Sequence, residues 1–184
     1  AAAYVSHVDA DVWVGQAGTH DMFHTFSLVP TSLVGELSSI EGVSEAHPLV
    51  SRTTSIPIDG KENSINVIGY HPANGAGGPF EIAEGRGDPQ PGEIIADKVT
   101  MKTNGLHLGD SIDIEGKPHE IIGVSQGTSV LVSQYAFVDI EETRAFLGPD
   151  RANFILLKAA GPGTAEQLKQ RIEELYPGLA VFTK

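Results

Sequence analysis

His20 and His24 stand four residues apart with Asp21 between them. On a helix that spacing puts both imidazoles on one face, where they could serve as a pair of metal or haem ligands. Gly15, Gly18 and Thr19 just ahead argue for a loop, and a metal site needs a third ligand that only a distant histidine could bring, so a solvated loop is the preferred reading. Gly123-Val124-Ser125-Gln126-Gly127 matches the G-x-S-x-G pattern of a hydrolase nucleophile elbow. That chemistry needs a helix after the serine and then an acid and a histidine further on. The last histidine is His119, upstream of Ser125, and the residues from Thr128 to Val132 read as extended, so the pattern is read as a glycine-flexed strand end. No catalytic residue and no metal site are assigned.

Met22, Phe23 and Phe26 form an apolar group in the same loop, beside Leu28. Burial under the domain is the default for such a cluster. If exposed, it is a candidate contact for an adaptor, a membrane surface or cargo, and these three residues are the candidate binding residues. The acid pairs Asp9/Asp11, Glu141/Glu142 and Glu173/Glu174 are neighbours in sequence that do not converge in a pocket, and they read as solvated surface. Gly75 to Gly78 lacks both the dinucleotide and the P-loop spacing and reads as a loop or hinge. The other histidines are scattered singly, with surface or hydrogen-bonded roles expected.

The elements that position these residues come from a chain of 184 residues with 12 Lys+Arg against 24 Asp+Glu, a formal charge of −12. With 40% apolar and 20% charged residues it can bury a real core in one domain or two small ones. The acidic surplus repels phosphate backbones and anionic lipid, so nucleic acid is excluded as a partner class. The absence of cysteine removes disulfides, thiolate metal sites and cysteine nucleophiles, and fits an oxidising compartment. No apolar run approaches the ~18–20 residues of a membrane span, so a soluble piece is expected. The chain starts at Ala1 without a leader pattern, which suggests a processed end or an excised fragment.

Alternation from Tyr4 to Val14 predicts one long or broken strand. Pro30 is expected to open a helix with Leu33, Leu37 and Ile40 on one face, closed by Gly42. Strand resumes over 43–55, interrupted at Pro48, and a further strand over 64–69 follows an Asp59-Gly60 hairpin turn. The segment 71–92 is too rich in Gly and Pro for a regular element and is read as a subdomain boundary. Beyond it come a strand over 93–96, a helix capped by Asp97 and ended at Asn104-Gly105, and a hairpin around Gly116 with Ile112 and Ile114 facing one way. A strand over 135–138 leads to a helix through Leu147 that Asp139 and Glu142 open as a capping-box pair. A strand over 153–158, a helix with Leu168, Ile172 and Leu175 on one face and capped by Thr164 with Gln167, and a strand over 179–183 complete the chain. The two ends mirror each other as strand–helix–strand units, which can share one sheet covered on one side by both helices.

These residues resemble the MacB-like extracytoplasmic (periplasmic) core domain of ABC transporter permeases. The resemblance lies in Asp11-Val12-Trp13-Val14, in Ile40-Glu41-Gly42-Val43 with Ala46-His47-Pro48-Leu49, and in Gly92-Glu93-Ile94-Ile95-Ala96. It continues through Leu106-His107-Leu108-Gly109-Asp110, Ile122-Gly123-Val124 and Val138-Asp139. It implies an α+β fold with a porter-like subdomain built from residues 1–75 and 151–184, and a mixed α/β subdomain inserted over 76–150. It also implies a place on the extracytoplasmic side of the cytoplasmic membrane, anchored by transmembrane helices outside this chain. Mechanical work rather than catalysis is implied, with no cofactor. The implied partners are a cytoplasmic ABC ATPase, a second permease copy and a membrane-fusion adaptor. A free-standing extracytoplasmic protein binding a small ligand, metal or haem through His20 and His24 is the alternative.

Overall fold

Tyr4 and Val8 are both buried and stand four residues apart, with exposed Ser6 and His7 between them, which is a helical and not an extended spacing. The chain accordingly begins with helix α1, Ala2–His7, and strand β1 starts only at Val12 (Val12–Gln16), correcting the long strand expected from Tyr4. The structure is a computed structural model that describes residues 2–20, 26–128 and 133–184.

In chain order there follow β2 (Val29–Pro30), α2 (Leu33–Ser38), β3 (Val43–Ile58), β4 (Lys61–Tyr70), β5 (Glu81–Gly85), β6 (Glu93–Asp97) and α3 (Lys98–Asn104). Next come β7 (Ser111–Ile114), β8 (Lys117–Gln126), β9 (Gln134–Asp139), a 3-10 turn (Ile140–Thr143) and α4 (Arg144–Leu147). The chain ends with β10 (Arg151–Ala152), β11 (Phe154–Ala159), α5 (Ala165–Leu175) and β12 (Leu179–Thr183). It divides into two compact units, one of residues 1–8 and 50–146, the other of 9–49 and 147–184. These bounds stand beside the 75/76 and 150/151 bounds of the sequence reading. The physical difference is that β3 runs through Pro48 without a break. Residues 43–49 of β3 pair with β11 and residues 50–58 with β4, so Pro48 lies where the strand has one ladder partner, a position that tolerates a missing N–H.

In the unit holding both long chain segments 9–49 and 147–184, the strand order is β12-β1-β11-β3, antiparallel throughout. Val12 and Val14 of β1, Ile155 and Leu157 of β11, Leu33 and Leu37 of α2, and Leu168 and Ile172 of α5 form one core. Both helices therefore cover the same sheet face, as the mirrored ends predict. Three local expectations are corrected. Pro30 lies in β2, paired with Arg151 of β10, and the helix begins at Leu33. Thr164 makes no side-chain cap, its hydroxyl donating instead to the Gly161 carbonyl. Leu175, expected on the buried face, is 60% exposed because the helix ends there and Tyr176 turns toward the core in its place.

The other unit orders its strands β3-β4-β9-β6-β8-β5, with β7 on β8. The β4–β9 and β6–β8 pairs are parallel. Its central strands are apolar on both faces. Ile65 and Val67, Ile94 and Ala96, and Ala136 and Val138 join one core with Ile112, Ile114 and Met101. On the alternate positions, Tyr135 and Phe137 meet Tyr4 of α1, whose ring stacks 5.6 Å from that of Tyr135, and Tyr70 packs edge-on against Phe137. The Asp59-Gly60 and Glu115-Gly116 pairs, all at positive φ, close the β3–β4 and β7–β8 hairpins. β5 lies inside the segment read as irregular. It is an exposed edge strand with a bulge against β8, and so carries no alternation for a sequence to display.

Candidate functional site

The base of the loop between β1 and β2 is held by a set of hydrogen bonds that its sequence supplies. Gln16 N donates to Ser27 Oγ at 2.9 Å, Ser27 Oγ donates to the Asn153 carbonyl at 2.6 Å, and Asn153 Nδ2 donates back to the Ser27 carbonyl at 2.9 Å. Leu28 N donates to Gln16 Oε1 at 3.1 Å. Ser27 is buried, and a Cβ on Gly15 would stand 2.9 Å from both Ser27 Oγ and Phe154 Cε1, so only glycine leaves room there. Phe26, one residue outside this base, is 70% exposed. Met22 and Phe23, its companions in the sequence reading, lie outside the described residues, as do Asp21 and His24; His20 is exposed.

A second group of chemically able residues sits in the other unit and was not singled out by sequence. His119 of β8 and Glu142 of the 3-10 turn are buried side chains, 3% and 6% exposed, with Nε2 and Oε2 2.6 Å apart. His119 Nδ1 is 2.8 Å from the Lys117 carbonyl. Lys117 Nζ donates to both Glu142 oxygens at 2.9 Å. Burial pushes the Glu142 carboxyl up, but hydrogen bonds from Lys117 and His119 outweigh it and hold the group below the usual carboxylate range. Glu142 is thereby spent across the hairpin, so the expected capping box does not form. Asp139 alone caps the turn, accepting from Glu141 N at 2.9 Å. A cleft of about 250 Å³ lined by Ile114, Glu115, Lys117, His119, Glu142 and Phe146 opens beside the pair. The available signal was register: His119 alternates with Ile121 on the buried face of β8.

Ser125 lies fully buried within β8, which continues to Gln126, so no elbow forms. Its hydroxyl has no hydrogen-bond partner among the described residues. Both ring nitrogens of His119 are engaged elsewhere, and no serine–histidine pair exists there to activate a nucleophile. No three His, Asp or Glu side chains converge among the described residues. None of the described helices is long and apolar enough to cross a membrane.

The fold thus defines a discontinuous mixed α/β domain of two units, one assembled from segments near both ends of the chain. A family sequence model described as the MacB-like periplasmic core domain matches residues 2–175, and the chain belongs to that family, the extracytoplasmic domain of MacB-like ABC transporter permeases. The structure is similar to that of the periplasmic region of MacB from Actinobacillus actinomycetemcomitans, with a TM-score of 0.70, 14% identity, and coverage of 97% of this chain and 91% of that one. It is also similar to the extracellular domain of the noncanonic ABC-type transporter YknZ from Gram-positive bacteria, with a TM-score of 0.67, 12% identity, and coverage of 95% and 100%. At these identities the likeness is one of fold. No curated protein sequence matches the chain.

Proposed function

We propose that this domain is the extracytoplasmic lever of an ABC transporter permease. Movement of membrane helices outside this chain, driven by a cytoplasmic ABC ATPase, passes through the domain to export or release cargo. A second permease copy and a membrane-fusion adaptor are its partners, and the domain contributes mechanics rather than chemistry. The observation that carries the reading is the family match over residues 2–175. Sheet ladders within each unit supply the stiffness a lever needs.

The contact we propose for adaptor or cargo is the loop bearing Met22, Phe23 and Phe26. Support comes from Phe26, a large apolar side chain held out beside a base fixed by Ser27 and Asn153. Deleting the domain from the intact permease is expected to abolish transport while the membrane-inserted remainder still accumulates. Undiminished transport would overturn the lever reading. Phe26→Ser is expected to weaken transport or adaptor crosslinking several-fold with an unchanged urea midpoint, and unchanged coupling would remove the loop from the assignment.

A further inference from the structure

β5 ends its sheet: it pairs with β8 on one side, and no strand lies beyond it among the described residues. Glu81, Ala83, Glu84 and Gly85 are exposed and Ile82 is half-buried, so the outward N–H and C=O groups of the strand face solvent. Such an edge can take one more strand by main-chain hydrogen bonds, and side chains then decide which strand it takes.

Charge makes that choice here. Glu81 stands opposite Gln126 and Glu84 opposite Val124, with Ala83 left out of the pairing. Gln126 and Val124 are two apart on β8, so the bulge turns both glutamates to one face of the sheet. Neither is ion-paired among the described residues. Arg86, the next residue along, offers them no charge, because its guanidinium is bonded to Glu93 and, at 3.0 Å, to the Asp88 carbonyl. Past Gly85 the edge opens on a recess of about 530 Å³ lined by Leu108, Ile122, Glu93 and Glu120. Leu108 is 43% exposed, Ile122 is half-buried, and Glu120 is exposed. A long basic side chain suits this lining, its methylenes on the leucine and isoleucine and its charged end at Glu120.

We propose that the β5 edge takes an extended basic segment of a partner protein as an added strand, with lysine or arginine at alternate positions matched to Glu81 and Glu84. This goes beyond the lever reading and does not rest on it. Alternate positions of an added strand lie on one face, as the two glutamates do, so each cation meets a carboxylate across the new ladder. A second copy of this chain does not fit the edge. Two β5 strands side by side would set Glu81 and Glu84 against their own counterparts, and like charges facing each other on paired strands are destabilising. A neutral strand would gain the main-chain bonds without the charge pairing, so the edge is selective.

The test uses the 184-residue chain and two capped peptides, one alternating Lys and Val, the other alternating Glu and Val. Amide hydrogen exchange is expected to slow within Glu81–Gly85 on adding the Lys-Val peptide and to stay unchanged with the Glu-Val peptide. Methylating the backbone nitrogens of the Lys-Val peptide throughout keeps its charge but removes its donors, and is expected to abolish the protection. Glu81→Lys with Glu84→Lys is expected to weaken Lys-Val binding about tenfold or more and to bring the Glu-Val peptide onto the same amides. The same charge change on α5, Glu173→Lys with Glu174→Lys, is expected to leave protection of β5 by the Lys-Val peptide in place. Binding without slowed exchange in β5, equal weakening by the α5 pair, or no binding at millimolar peptide would overturn the proposal. The exchange map of the native chain decides the matter even if a variant does not fold.

Discussion

Asp97 shows how much one residue can hold. Buried at the end of β6, its carboxylate accepts from Thr100 N at 2.8 Å and from Thr100 Oγ1 at 3.2 Å, and it also receives the Tyr135 amide of β9. Its cap on α3 was legible, because an Asp before a short helix ended by Asn-Gly is a local pattern. The bond to Tyr135 was not, since it joins residues 38 apart in sequence. Asp97→Ala removes the cap and orphans a buried N–H, and should cost about 2–4 kcal/mol in urea unfolding, with Asp97→Asn in between. Gly15→Ala should cost about 1–3 kcal/mol by the same measurement, as its methyl must displace Phe154 or Ser27 at the base of the Phe26 loop. The Glu142–His119 pair was hidden for the same reason as the Tyr135 bond. Glu142 at three residues past Asp139 offers a plausible local role, and only the fold brings Lys117 and His119 close enough to take it.

Elements with strong local signals were legible and those set by tertiary contact were not. The Asp59-Gly60 hairpin reads from its turn chemistry, and α2 and α5 from their apolar stripes. α1 was misread because Tyr4 and Val8, four apart, fit either period in the sequence alone, and the exposure of Ser6 between them, which a strand would bury with them, is set by the fold. β5 was missed because an exposed edge strand has nothing to alternate. Along α5, Ile172→Ala is expected to cost about 2–5 kcal/mol, whereas Leu175→Ala, already facing water, should stay within about 0.5 kcal/mol. The aromatic group under α1 has its own signature. Burial first, then neighbouring phenols for Tyr4, the Asp88 and Asp139 carboxylates for Tyr70, and Asp97 for Tyr135, push all three hydroxyls above the usual tyrosine range. Unfolded tyrosine ionises at about pH 10, so the stability these groups confer is intact below that value and falls as pH rises beyond it. In Tyr176→Phe, which removes the fourth tyrosine and leaves these three, ultraviolet titration should therefore find phenolate appearing together with loss of fold and not before it. Phenolate at pH 10 in that variant while it is still folded would contradict this placement.

At the scale of the molecule, the order of motifs from Asp11 to Val138-Asp139 carried the family, and the mirrored strand–helix–strand ends carried the shared sheet of one unit. The division between units was harder to read, because β3 passes from one to the other within a single strand and leaves no change of composition at Leu49/Val50. The acidic chain has no cysteine, which makes its exposure to a chosen side of the membrane directly measurable. Lys61, at the exposed start of β4, can be replaced by cysteine in the full protein in its native cells, and the cells treated with a membrane-impermeant thiol reagent. We expect Lys61→Cys to be labelled while the cytoplasmic membrane is intact, on a species that sediments with membranes and runs well above 19.5 kDa. Labelling only after lysis, on a soluble species near 19.5 kDa, would contradict an extracytoplasmic permease domain.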